Sequence, residues 1–417
     1  MGERVDVIVV GAGPVGMLTA LALAQTGARV TVLEKEARIV ESPRAAVYFP
    51  STLGVLDELG ILEELNAIGF QNWTFGTHIP EFGYSSVVTQ EPVPGIPYDY
   101  QLHAGQDAVA KVAMAHALRL GVEVLFEHEV TGLDDGTEGA SVTAATPDGE
   151  RTLAARWLVA ADGARSAVRQ LAGIDFAGMT WPERFVATNV KFDFARLGYQ
   201  QANFVCDPVN MAVIAQLDRD GLWRCTYMED ASLPVETYEE RIHQRYEHFM
   251  QGAKDYELVS SSPYMLHQRA GETLRKGHVV LVGDAAHATN PCGGLGLTSG
   301  IWTGMIAADL IGAILRGEAD ESVLDRFSDE RRRVFWDVVT PAASENKRML
   351  MERDPEQRQK DYAAVRALSE NPDSGALLML WPYKVIGDTI RPGSRWADAD
   401  PSERVAIDIK GRKGQIH

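Results

Sequence analysis

Between residues 11 and 34 the chain sets three glycines and a carboxylate at spacings that suit the binding of a pyrophosphate. In GAGPVG, Gly11 permits a tight turn, Gly13 lets phosphate oxygens approach the backbone, and Gly16 lets the following helix pack on its strand. A helix that starts here points its free N–H groups and its dipole at an anion. Glu34, about twenty residues on, suits the hydroxyls of an adenosine ribose and would repel a 2′-phosphate, so FAD or NAD fits this slot and NADP does not. The set expected to hold the dinucleotide is Gly11, Gly13, Pro14, Val15, Gly16, Glu34 and Lys35.

A second candidate carboxylate is Asp284, the only one in HVVLVGDAAHATNPCGGLGLTSG, His278 to Gly300. Its neighbours are Gly, Ala, Pro and small hydroxyls, which would let a large ligand touch backbone. At the carboxyl end of a buried strand, where open α/β sheets place their ligands, Asp284 can accept hydrogen bonds from a ligand's hydroxyls. His287 in the same stretch reads as a structural hydrogen-bond partner rather than a base.

The elements that must position these groups follow from hydrophobic pattern. Val5 to Val10 is a near-continuous apolar run, as expected of a parallel strand buried on both faces. Met17 to Gln25 reads as a helix ended by Gly27, and Arg29 to Leu33 as a second strand. Arg156 to Ala161 and His278 to Val282 repeat the buried-strand pattern far along the chain, so the nucleotide domain is discontinuous. Between them, Val186 to Tyr227 alternates apolar and polar residues around turn signals, which indicates antiparallel strands and a substrate domain. Beyond Gly300 the pattern is helical, from Ile301 to Leu315 and again from Asp325 to Trp336, and after Asn371 it predicts little. The fold class is α/β: a Rossmann-like dinucleotide domain built from residues 1–75, 101–180 and 276–345, a covering segment at 76–100, a β-rich substrate domain at 181–275, and a helical C-terminal region at 346–417.

Composition bounds the function. A net charge of −18 disfavours nucleic acid or an anionic membrane as partner. Three scattered cysteines, Cys206, Cys225 and Cys292, make neither a disulfide framework nor a metal cluster and fit a reducing compartment. No apolar run is expected to span a membrane, and VDVIVVGAGPVG lacks the basic start of a signal peptide, so the expected location is cytoplasmic.

Three blocks in this order, GAGPVG with Glu34, ADGARSAVR at Ala161 to Arg169, and GDAAHATNPCGGLG at Gly283 to Gly296, resemble the FAD-dependent aromatic hydroxylases, the single-component flavoprotein monooxygenases of the para-hydroxybenzoate hydroxylase fold. The stretch Ala202 to Tyr227 is similar to the phenol-hydroxylase branch that includes para-nitrophenol 4-monooxygenases. The resemblance implies that Asp284 holds the flavin ribityl chain, with Gly283 and Gly294 in the same loop and Pro291 beside the reactive edge of the ring. It implies that the backbone of Gly296, Leu297 and Thr298 faces the flavin N1 and C2 carbonyl, although the family often carries Asn where this chain has Thr298. Asp162, Gly163 and Arg169 would bridge the pyrophosphate, and Arg44 and Gln106 would contact the ribityl chain. Arg165 reads equally well as a solvated cation.

By the same resemblance, NADH or NADPH reduces FAD, O2 adds to give a flavin C4a-hydroperoxide, and one oxygen passes to a small aromatic substrate. Asn203, Arg224 and Tyr227 are the strand residues that could face a phenol oxygen, and His78 and His103 lie in a segment that could cover the ring. Family members often dimerise, and nothing in the sequence marks an interface. The alternatives are an epoxidase, a reductase or a tailoring oxygenase of a non-phenolic substrate, and a flavin-binding sensor. The absence of a WxWxIP motif counts against a halogenase.

Overall fold

The computed structural model describes residues 4–41, 46–387, 393–396 and 399. Val5–Val10 is the central strand of the first sheet, running parallel to Val30–Leu33 on one side and to Gly149–Ala160 on the other, with Val9 opposite both Val32 and Val159. Val279–Leu281 adds outside Gly149–Ala160, and Glu123–Leu125 adds outside Val30–Leu33, both in parallel. Segments more than two hundred residues apart thus share one sheet, and the discontinuous Rossmann-like architecture stands. The strands end together on Gly11, Glu34, Ala161 and Gly283, the edge where open α/β sheets hold ligands.

Helix Leu295–Leu315 corrects two expectations. It begins six residues before Ile301, and its 21 residues are long and apolar enough to cross a membrane by length and composition. Its apolar stretch is 89% buried inside the protein, so the core takes up that surface. Only its first turns, Leu295 to Gly300, lay outside the helical reading, and its glycines are required by packing. A Cβ at Gly300 would lie 3.2 Å from the Cα of Gly283, one at Gly304 would lie 2.3 Å from Thr19 Oγ1, and one at Gly312 would lie 2.8 Å from the Thr26 side chain. Residues that lower helix propensity are here because the helix lies directly on Pro14–Gln25 and on the turn carrying Asp284.

The second sheet is mostly antiparallel. Phe176–Lys191 lies between Leu222–Asp230 and Glu257–Gly271, and the sheet continues through Ala212–Gln216 and Ala202–Val205 to the hairpin Thr74–Ile79 and Tyr84–Thr89. One face is sealed by helix Tyr238–Phe249, with Val186, Trp223, Cys225 and Tyr227 packed against Ile242, Tyr246 and Phe249. The other face looks towards the first sheet. In the C-terminal region, helices Thr340–Met351, Pro355–Ser369 and Ser374–Leu380 follow, and Leu377 and Trp381 reach the space between the sheets.

Candidate active site

A cavity of about 2270 Å³ lies between the carboxyl ends of the first sheet and the inner face of the second. At its first-sheet end the three glycines of the turn do three different things. Gly11 has φ +106, and a Cβ there would lie 2.5 Å from the carbonyl oxygen of Ala161. At Gly16 a Cβ would come within 2.0 Å of the Gly11 oxygen, so helix and strand meet only without it. Gly13 has an ordinary φ of −68, and its Cβ would meet nothing within 4 Å. The protein itself makes no demand for glycine at that position; the space in front of it suits a ligand. Glu34 lines the cavity, with Oε2 accepting from the Ala12 N–H at 2.7 Å and Oε1 from the Glu36 N–H at 3.0 Å, which leaves a second lone pair on each oxygen for hydroxyl donors. Pro14, Val15 and Lys35 line the same end.

The two further motifs close around this end. Asp162 Oδ2 accepts from the Val168 N–H at 3.2 Å, whereas Oδ1 is buried with no partner among the described residues. Burial pushes the Asp162 carboxyl upward against the hydrogen bonds that lower it. Gly163, Gly283, Asp284, Pro291, Gly294, Gly296 and Leu297 also line the cavity, as does Gln106 at the first position of helix Gln106–Arg119. The exposed Arg165 stands at its edge. Arg44 lies outside the described residues.

Two members of the expected set are elsewhere. The Arg169 guanidinium donates to the carbonyls of Ala285 at 3.0 Å and Ala164 at 2.9 Å and lies 3.8 Å over the Phe176 ring, so it joins the two motif loops instead of reaching the cavity. Thr298 is 2% exposed and its hydroxyl donates back to the Gly294 carbonyl at 3.1 Å. With the helix starting at Leu295, the N–H groups that precede any helical acceptor belong to Leu295, Gly296 and Leu297.

The Pro291 loop is fixed from outside. Gln268 Oε1 accepts from Thr289 Oγ1 at 2.9 Å while its Nε2 donates to Thr340 Oγ1 at 2.8 Å, and Asn346 Nδ2 donates to the Cys292 carbonyl at 3.4 Å. Sequence reading missed both residues because they act across elements distant in the chain. His287 is buried, shares a hydrogen bond with Thr303 Oγ1 at 2.8 Å and stacks on Phe335. Burial and the positive charge of Arg331 lower its pKa from 6.5 to about 3. The unfolded chain therefore takes up this proton before the folded one does, and stability is full above about pH 6.5 and lost as pH falls towards 3. Urea midpoints measured across this range should show a shallower acid decline in His287→Gln than in the parent; an unchanged slope would contradict the assignment.

On the second sheet, side chains alternate between faces. Arg224 and Thr226 point into the cavity with Ala187 and Val213 beside them, while Trp223, Cys225 and Tyr227 point away. Tyr227, fully buried against Phe249, is therefore corrected from a cavity residue to one on the far face. Arg224 donates from Nε and a terminal nitrogen to Asn189 Oδ1 at 3.2 and 3.1 Å, and burial lowers its pKa to about 10. Asn203 lines the cavity, but its amide is occupied: Oδ1 accepts from the Gln200 N–H at 2.8 Å and lies 3.2 Å from His78 Nε2, and Nδ2 donates to Ile214 O at 3.3 Å. His78 and His103 do not line the cavity; His103 is buried between Gln216 O at 2.7 Å and Asn72 Nδ2 at 3.0 Å. Phe75, Phe185, Phe204, Leu217 and Leu266 make the remaining wall largely apolar.

An FAD binding domain family matches residues 4–342. The chain is 41% identical over 381 residues to the para-nitrophenol 4-monooxygenase of Pseudomonas sp. (strain WBC-3), covering 87% of this chain and 92% of that one. It belongs to the FAD-dependent aromatic hydroxylases. This hydroxylase is also 38% identical to 6-hydroxy-3-succinoylpyridine 3-monooxygenase HspB of Pseudomonas putida (strain DSM 28022 / S16), over 89% of its own length and 96% of the relative's. The crystal structure of p-nitrophenol 4-monooxygenase PnpA from Pseudomonas putida DLL-E4 superposes with a TM-score of 0.89 at 37% identity, covering 94% of this chain and all of that one. FAD is the cofactor and NAD(P)H the electron donor of this flavin-dependent monooxygenase. The residues present fit FAD: a Cβ at Gly13 would fill the cradle, and Asp162 Oδ1 lacks a partner that a bound ligand or its water could supply.

Proposed function

We propose that the enzyme hydroxylates a small phenol, para-nitrophenol being the first candidate, and that it binds the ring as the phenolate against Arg224. The observation that carries this reading is the Arg224 side chain itself. It is a cation on the inner face of the substrate sheet, its hydrogen bonds go to a neutral amide, and among the described residues no carboxylate forms an ion pair with it, Asp107 acting on it only through its field. A largely buried guanidinium in that state favours an anion nearby. The walls around it are aromatic and aliphatic, which suits a flat ring and excludes water. The relatives named above act on a nitrophenol and on a hydroxypyridine, both small hydroxylated rings.

When bound, FAD supplies the oxygen chemistry, taking electrons from NAD(P)H and one oxygen atom from O2 for transfer to the ring. The chain's own contributions are positional. Glu34, Asp162 and Asp284 would accept hydrogen bonds from the bound cofactor's hydroxyls. The N–H groups of Leu295, Gly296 and Leu297 stabilise negative charge at the helix start. Gln268 and Asn346 fix the Pro291 loop against the ring's neighbourhood, and Arg224 holds the substrate oxygen ionised, which makes the ring electron-rich. A reducing, cytoplasmic setting goes with three cysteines that are all unpaired and buried.

The test is turnover. Purified holoenzyme should oxidise NAD(P)H faster with para-nitrophenol than without it and release a product with the ring oxygenated. Faster oxidation that yields only hydrogen peroxide with every phenol tried would refute the reading.

A further inference from the structure

We propose that Gln101 recognises an uncharged hydrogen-bond acceptor on the substrate ring, such as a nitro or acyl group, and so sets which phenols the enzyme prefers. This rests on the phenol reading above and extends it to a residue that neither sequence motif nor family pattern singles out. Gln101 opens the short strand Gln101–His103, lines the cavity and is only 1% exposed. Among the described residues its side-chain amide has no hydrogen-bond partner, and Nε2 is fully enclosed.

The neighbourhood shows that this is specific to Gln101. Asn72, directly across the strand pair, uses its amide on Thr74 and on His103. His103, two residues along the same face, is satisfied at both ring nitrogens. The polar groups on either side are completed while the Gln101 amide stays open; the amide of Gln90 is open too, but of the two only Gln101 lines the cavity. Buried polar groups are almost always paired, so an open amide in a binding cavity points to a ligand group as the missing partner.

Position favours the substrate over the cofactor. The groups that fit FAD come from the strand ends of the first sheet: Gly13, Glu34, Asp162 and Asp284. Gln101 comes from neither large sheet: its strand lies between Val47–Tyr48 and Phe70–Asn72 in a separate three-stranded sheet. Its strand meets the second sheet where His103 contacts the carbonyl of Gln216, the residue next to Ala215, and Ala215 pairs with Arg224. Amide oxygen and nitrogen exchange places by a simple flip, so the side chain can present an N–H to an acceptor in this quarter. With the phenolate oxygen at Arg224, the remaining polar handle on the ring is the substituent.

Gln101→Leu, close to isosteric, removes the hydrogen bond and keeps the volume. Full-length holoenzyme would be assayed with acceptor-bearing para-nitrophenol and para-hydroxyacetophenone and with para-cresol and para-ethylphenol, which carry no acceptor. The expected result is a loss in kcat/KM of about tenfold, mainly in KM, for the first pair and less than about twofold for the second. Flavin content and spectrum should stay those of the parent. Gln101→Met serves as a second neutral replacement should the leucine variant fold poorly, and equilibrium titration of para-nitrophenol into either holoenzyme gives a readout independent of turnover. Equal losses on both pairs, no loss on either, or an altered flavin spectrum would overturn the assignment. Parent enzyme that hydroxylates none of the four would overturn the phenol reading and this proposal together, whereas an active parent with an unselective variant effect overturns Gln101 alone.

Discussion

Alanine at Gly13 should leave the protein folded and strip it of flavin, whereas alanine at Gly16 should prevent the nucleotide domain from forming. At Gly13 the backbone is already in a region open to every L-residue, and the added methyl meets no protein atom within 4 Å. The flavin-free variant should even gain about 0.4–1 kcal/mol from the stiffer unfolded chain. At Gly16 the methyl would sit 2.0 Å from a backbone oxygen that cannot rotate away, so the helix must leave its strand. Overpacking a well-filled core typically costs about 1–3 kcal/mol, and a clash with main chain lies at or above the top of that range. Visible flavin absorbance per protein, together with thermal melting of the flavin-free forms, separates the two outcomes. A Gly13→Ala protein that keeps a full complement of flavin would show that the cradle is not where the pyrophosphate lies.

Arg224→Met should lower kcat/KM for a phenol by roughly 10²- to 10³-fold, the usual cost of removing a group that stabilises charge in a dry site. Its pKa, lowered to about 10 by burial, still leaves it charged through the neutral range. A phenol bound beside it ionises more easily than one in water, where the group titrates near pH ~10. The acid limb of the kcat profile, which reports ionisation in the bound complex, should therefore lie below the pKa of the free phenol in the parent, and in the variant it should move up towards it. Because the lowered pKa marks an incompletely compensated buried cation, the same variant should melt at a higher temperature than the parent. Reduced activity with an unmoved acid limb would reassign Arg224 to a structural part.

The nucleotide end of the cavity was legible because its signals are local. Gly11, Gly13, Gly16 and Glu34 fall within one strand, helix and strand unit, and Asp284 follows its strand directly. The substrate end was half legible. Arg224 and Tyr227 are three residues apart on one strand, an odd number, so they had to face opposite sides; applying the period of two would have separated them. Arg169 carries a family motif, yet its guanidinium is spent on Ala164 and Ala285, a choice set by tertiary neighbours. Gln101 lies in a strand of three residues, too short to show any period. Helix Ser374–Leu380 sits in a stretch that gave no pattern, since its burial depends on elements hundreds of residues earlier.

The order of strands in the first sheet has a cost during synthesis. Gly149–Ala160 is made early, but the neighbour that covers its outer edge, Val279–Leu281, arrives more than a hundred residues later, and the apolar helix after that later still. On a ribosome the half-built sheet must wait on the order of ten seconds with an open strand edge. Such an edge invites pairing with other chains. Slower elongation or cooler growth would lengthen that exposure, and added chaperone should raise the yield of active enzyme.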